Sequence, residues 1–166
     1  MHAYGTRTSL PAYGPAVLRL ALGAVFIAHG AQKLFGIWGG SGLDGTSSGF
    51  AQIGLQPAYP LAILSGVVEF GGGLMLVLGA LTVPSAILLA ITMLVATWKV
   101  HLANGFFLNW ANTPGQGHGY EYTLALIGGL VCLALTGPGA FSIDGRRAES
   151  AAAEAAGRAR LRTGRV

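Results

Sequence analysis

Charge is scarce in this sequence. Lysine, arginine, aspartate and glutamate make up 10% of its 166 residues, against roughly 25% in an ordinary soluble domain. So few charges exclude the solvated surface that a soluble domain of this length needs. Cysteine is as scarce. Cys132 stands alone in an apolar run, which excludes an intrachain disulfide and a cysteine-built metal site, and it reads as a small packing residue. No Gly-rich dinucleotide loop and no Cys-x-x-Cys-His haem motif occurs, and no metal site is read from the sequence. The charge that exists is unevenly placed. Six of the ten basic residues, Arg146, Arg147, Arg158, Arg160, Arg162 and Arg165, lie at the C-terminal end. The net charge of +4 is therefore mostly a property of a tail, which argues against a nucleic-acid partner. A basic tail after a hydrophobic span meets anionic lipid head groups and fixes topology.

Hydrophobic residues, by contrast, make up 52% of the chain. They gather in four segments, read as helices over residues 15–35, 61–81, 84–101 and 120–136. A helix crossing the hydrocarbon core needs roughly 20 residues, with about 17 as a lower limit. The first two segments qualify directly. The third reaches the limit by borrowing residues 98–101, and the fourth only by starting near Gly119 or Tyr120, with a re-entrant or interfacial helix as its alternative. The fold class is thus an all-α integral membrane bundle of four up-down helices in one domain. It has an N-terminal leader over residues 1–14 and a basic tail over 145–166.

Punctuation agrees with these limits. Pro15 and Pro84 suit first helical turns. Almost no loop separates the second and third segments, which makes them antiparallel neighbours. Residues 36–49, rich in Gly and Ser, read as loop, and residues 50–55 as a short interfacial helix. Residues 104–119 form a second, polar and aromatic loop. Gly137-Pro138-Gly139 stops the fourth helix. Residues 147–162 read either as an Ala-rich surface helix or as a disordered tail. The first segment reads as a retained anchor, because its leader is polar with a single arginine and its apolar run exceeds a signal-peptide core. Arg7, Arg19 and the tail arginines share one side of a four-span chain, so both termini are expected in the cytoplasm. Trp38, Trp98 and Trp110 then mark the outer interface, an ordinary place for Trp.

Ionisable groups inside a bilayer are expensive, at least about 2.5–3.5 kcal/mol at its centre. Here they cluster. His29, Gln32 and Lys33 lie near the outer end of the first helix, Glu69 is in the second, Lys99 and His101 close the third, and Glu121 opens the fourth. His29 and Lys33 are four apart and share a face. Gly66, Glu69 and Gly73 also share a face, and small residues there permit close helix approach. Glu69 is therefore expected to point inward and to contact His29 or Lys33, with Lys99, His101 and Glu121 rimming the same cavity. Ordinary readings stand beside this one. Lys33 and Lys99 can snorkel to head groups, His101 can be a solvated cap, Glu121 an interfacial carboxylate, and Glu69 half of a structural ion pair. At the opposite end, Arg19 and Asp144 are expected to pair beneath the bundle in a structural role.

The order and spacing of several short motifs carry a family resemblance. They are Arg19-Leu20-Ala21-Leu22-Gly23, His29-Gly30-Ala31-Gln32-Lys33-Leu34, Glu69-Phe70-Gly71-Gly72-Gly73, Leu78-Gly79, and Gly137-Pro138-Gly139-Ala140-Phe141-Ser142-Ile143-Asp144. Across residues 17–144 the sequence resembles the DoxX family of small bacterial membrane proteins. The resemblance implies four membrane helices and redox associations, since DoxX is similar to DoxD-type subunits of thiosulfate:quinone oxidoreductases, and relatives are linked to membrane thiol and oxidative-stress systems. The leading functional expectation is a redox-associated membrane subunit. Its polar outer pocket would bind a quinone or a small sulfur compound, and it would work with a redox partner protein. Axial haem ligation by His29 and His101 is the weaker idea, because a histidine on an apolar helix more often makes a hydrogen bond. A non-catalytic scaffold is the alternative function. A small-solute transporter ranks third, since four short helices show no inverted repeat.

Overall fold

Proline and glycine set where the helices begin and end. A computed structural model describes residues 10–163, and among these no strand occurs. Six helices follow in order: α1 (Leu10–Phe35), α2 (Gly42–Gln52), α3 (Ala58–Leu78), α4 (Thr82–Ala96), α5 (Glu121–Thr136) and α6 (Ile143–Thr163). Beyond α4 the helix widens into a π-turn over Thr97–His101 and tightens into a 3-10 turn over Leu102–Asn104. Arg7 and Arg165, both counted in the charge bias, lie outside the described residues, as does most of the leader.

The four apolar segments are all helical, and three of them are long and apolar enough to cross a membrane: Leu10–Phe35, Ala58–Leu78 and Thr82–Asn104. The fourth, α5, has 16 residues, about 24 Å at 1.5 Å per residue. It nevertheless runs the height of the bundle. Thr123 near its start accepts a 2.7 Å hydrogen bond from Thr97, and Pro138 just past its end accepts one from Arg19 at 2.9 Å.

Several boundaries differ from expectation, and α3 spans Ala58–Leu78 rather than residues 61–81. Helix α1 starts at Leu10 rather than Pro15. Pro11 sits in its first turn, where an N–H has no intrahelical acceptor, and the Ala140 N–H donates to Ala12 O at 2.8 Å, tying that turn to the chain after α5. Helix α2 starts at Gly42, inside the stretch read as loop. Gly and Ser are weak helix formers, but α2 packs on α3 and α1, and tertiary packing overrides propensity. The tail forms a helix over Ile143–Thr163, of the two readings left open.

Helices α1 and α3 pack antiparallel and very closely. A Cβ on Gly30 would lie 2.3 Å from the Phe70 nitrogen, and one on Gly73 would lie 2.8 Å from the Ile27 nitrogen. Without side chains at these positions, dispersion contacts form backbone to backbone. Gly79, at φ 63°, caps α3, and three residues lead to α4, which makes α3 and α4 antiparallel as expected. Leu22, Phe26, Leu76, Leu89, Met93, Leu126, Leu130 and Leu133 fill the centre.

The surface is inverted relative to a soluble protein. Leu64, Val67, Leu88, Ile91, Leu94, Val131 and Leu135 are exposed, while Arg19, Glu69, Ser85 and Thr123 are buried. An exposed apolar patch of this extent requires an apolar surrounding. The bilayer supplies one.

Candidate functional site

Both ends of the bundle hold a buried charge, and the two are satisfied in different ways. At one end Arg19, 2% exposed, donates five hydrogen bonds to backbone carbonyls. Nε bonds Pro138 O at 2.9 Å, one terminal nitrogen bonds Leu76 O at 3.0 Å and Val77 O at 2.8 Å, and the other bonds Ala140 O and Phe141 O, each at 2.8 Å. Three of these carbonyls follow α5 and two belong to the last turn of α3, where carbonyls lack intrahelical partners. The planar five-donor guanidinium suits this arrangement.

Asp144 lies at the same end but does not pair with Arg19. Its carboxylate accepts from Leu81 N–H at 3.0 Å and Thr82 N–H at 2.9 Å, capping the start of α4. The expected ion pair is therefore replaced by two separate backbone clamps. Partial burial pushes the Asp144 carboxyl up, but the hydrogen bonds from Thr82 and Leu81 and the nearby Arg147 outweigh it. They hold the group below its usual value.

At the other end, Lys33 on α1 reaches Glu69 on α3. Lys33 Nζ hydrogen-bonds Glu69 Oε1, and it also donates to Ser65 Oγ at 3.1 Å. Ser65 Oγ in turn donates to Glu69 Oε1 at 3.3 Å. Glu69 is 1% exposed, whereas the Lys33 side chain is 28% exposed. Glu69 Oε2 is buried and has no hydrogen-bond partner. Oε1 thus receives both donors, and Oε2 has none.

Lys33 also lines an open groove of about 590 Å³ between α1 and α2. His29 and Gln32 line it from α1, Ser41 from the connecting loop, Thr46 and Gln52 from α2, and Val100 from the π-turn. Gly49 lines it as well, with open space where a Cβ would stand. Gly45, Thr46 and Gly49 keep most of the α2 face of the groove small, with Phe50 and Gln52 beside them.

The structure divides the residues singled out in the sequence. His29, Gln32 and Lys33 line one groove, and Glu69 stands behind it, bound to Lys33. Lys99, His101 and Glu121 lie at the same end but do not line this groove. Lys99 Nζ sits 4.4 Å from the centroid of the Trp98 ring. His101 Nδ1 is 2.9 Å from His118 O. Glu121 Oε1 accepts from Leu108 N–H at 2.9 Å and Trp110 Nε1 at 3.3 Å, holding the 105–120 loop over α5. These three act on their own local structure: Lys99 meets its chain neighbour Trp98, and the loop that folds back onto α5 supplies the partners of His101 and Glu121. Trp38, Trp98 and Trp110 are all exposed at this end.

Sequence reasoning missed Ser65, although its position four residues before Glu69 on one helix face was a usable signal. It also missed the contribution of α2. Only the tertiary fold brings Ser41 and Thr46 opposite His29 and Lys33.

Lipid-facing aliphatic side chains outside, buried polar groups inside and long apolar helices define a multi-pass integral membrane protein. The chain belongs to the DoxX family, whose model, described as DoxX, matches residues 14–102. It is similar to an uncharacterized membrane protein, Rv3486, of Mycobacterium tuberculosis, at 35% identity over 140 residues, covering 82% of each chain. It is also similar to the inner membrane protein YqjF of Escherichia coli, at 33% identity over 133 residues, covering 79% of this chain and 89% of that one. A third relative is the inner membrane protein YphA of Escherichia coli, at 28% identity over 135 residues, covering 78% and 87%. No solved structure matches the chain.

Proposed function

We propose that this protein is a redox-associated subunit of the bacterial plasma membrane, whose groove at the Lys33 end receives a quinone head group or a small sulfur compound. One observation supports this most directly. Lys33 lines an open groove and at the same time bonds a fully buried carboxylate. Quinone chemistry moves protons with electrons, and the groove brings the His29 imidazole to the same opening as the Lys33–Glu69 pair. Any electrons come from a redox partner protein or from the quinone, since the sequence carries no recognisable electron-carrier motif. The arginine bias supports cytoplasmic termini, which puts the groove on the outer side.

The scaffold reading keeps one observation in its favour. Lys33 pairs with the buried Glu69, as in a register-fixing ion pair. Thermal unfolding of the purified protein separates the two. On the proposed reading, a short-chain quinone or thiosulfate at 100 times its Kd adds about 2.7 kcal/mol of stability. Gly49→Leu, which fills the groove, removes that gain. If neither compound shifts the unfolding temperature, the scaffold reading stands in its place.

A further inference from the structure

We propose that an anion entering this groove binds together with one proton: the anion draws the Lys33 ammonium away from Glu69, and Glu69 takes the proton. The proposal rests on the groove being the ligand site, and it names the ligand's class, a small oxyanion.

The charge pattern of the groove comes first. Lys33 is the charged side chain among the lining residues, and the polar remainder, His29, Gln32, Ser41, Thr46 and Gln52, carries no carboxylate. A negatively charged ligand therefore meets a cation and neutral donors, with no opposing charge. Two of the three N–H donors of Lys33 go to Ser65 and Glu69, and the partly exposed side chain keeps one for the groove.

The state of Glu69 comes second. It is 1% exposed and its Oε2 has no partner. A buried carboxylate in that position stays ionised only while a cation neutralises it. The elements packed against α3 bring no substitute. From α1 come Lys33 and the groove-lining His29. Helix α4 has no titratable side chain between Thr82 and Ala96, and α2 has only Asp44, which is exposed. Once the ammonium turns to an anion, Glu69 is left uncompensated, and a proton on Oε2 removes the buried charge.

The exchange balances. The ligand brings negative charge, the proton adds to the carboxylate, Lys33 stays an ammonium, and no electron moves. His29 lies on the same α1 face as Lys33 and lines the groove, which is open to water, so the proton enters from the groove side.

Two measurements on the unmodified protein in detergent test this, with thiosulfate as the anionic probe and a short-chain quinone as the neutral one. Calorimetry in buffers of different ionisation enthalpy is expected to show about one proton taken up per thiosulfate bound at neutral pH, and none with the quinone. Infrared difference spectra are expected to gain a protonated-carboxyl C=O band on thiosulfate addition, and Glu69→Gln to lose both the band and the proton uptake. Thiosulfate binding without uptake or band overturns the exchange. Quinone binding alone, blocked by Gly49→Leu, overturns it as well but leaves the groove reading intact. Binding of neither probe overturns both. The calorimetry and spectra of the unmodified protein decide the matter even if Glu69→Gln fails to fold.

Discussion

Arg19 and Asp144 sit at the same end of the bundle, with opposite charges, and clamp different backbone groups instead of each other. The guanidinium gathers carbonyls from the last turn of α3 and from the 138–141 turn, and the carboxylate gathers the N–H groups that open α4. Each charge closes a helix terminus whose backbone groups lack intrahelical partners.

Removal of Arg19 is therefore expected to be severe. Arg19→Met leaves five carbonyls without their charged donor. Each hydrogen bond to a charged group is worth about 1.5–3 kcal/mol, with incomplete additivity. A loss of at least about 3 kcal/mol is expected in denaturant unfolding, with Arg19→Lys intermediate. A cost under about 1 kcal/mol for Arg19→Met would show that the clamp does not hold the bundle.

Asp144 should give a pH signature at the same end. Its folded value is depressed, so the folded state binds its proton less readily than the unfolded chain does. The stability it contributes is fully present above the unfolded value, about 3.9. It is lost as pH falls through the folded value. Asp144→Ala is expected to cost about 1 kcal/mol at neutral pH, as the loss of a helix cap does. It should also flatten this part of the acid limb. Equal acid sensitivity in the variant and the parent would count against the cap.

Close approach of α1 and α3 predicts a contrast between two glycines. Gly30→Ala places a methyl 2.3 Å from the Phe70 nitrogen, whereas Gly128 has nothing within 4 Å of its Cβ position. The first substitution forces the helices apart at a cost of about 1–3 kcal/mol or more. The second should be neutral, or stabilising by up to about 1 kcal/mol, because alanine is the better helix former. Melting temperatures of the two variants in the same detergent check this.

Sidedness is testable by cysteine labelling. Ser48 on α2 and Ala153 on α6 are both exposed. In a background of Cys132→Ala, a membrane-impermeant reagent is expected to reach Ser48→Cys in intact cells, and Ala153→Cys only after the membrane is opened. Labelling of both from outside would disprove cytoplasmic termini.

The membrane bundle was legible in the sequence because its cause is local. A continuous run of apolar residues demands lipid, and each span satisfies its own backbone as a helix whatever its neighbours are. The inward face of Glu69 was legible too, since Gly66 and Gly73 mark a helix-packing face by spacing alone. Its partner was left open between His29 and Lys33, and the packing of α1 on α3 selects Lys33. Helix α2 was not legible as a helix from Gly42, because its glycines and serines form a helix there only with α3 and α1 to pack on. Nor was the separation of Lys99, His101 and Glu121 from the groove. All three share its depth, which sequence position reports, but Lys99 turns to the neighbouring Trp98 ring, and the partners His118 and Leu108 of His101 and Glu121 are chosen by how the 105–120 loop folds back. Sequence by itself determined which segments are apolar and where along them the costly groups fall, since both follow from hydropathy and helical rise. Only the tertiary structure decided which polar groups meet there, because a buried charge takes whichever donor or acceptor the packing brings within hydrogen-bond reach.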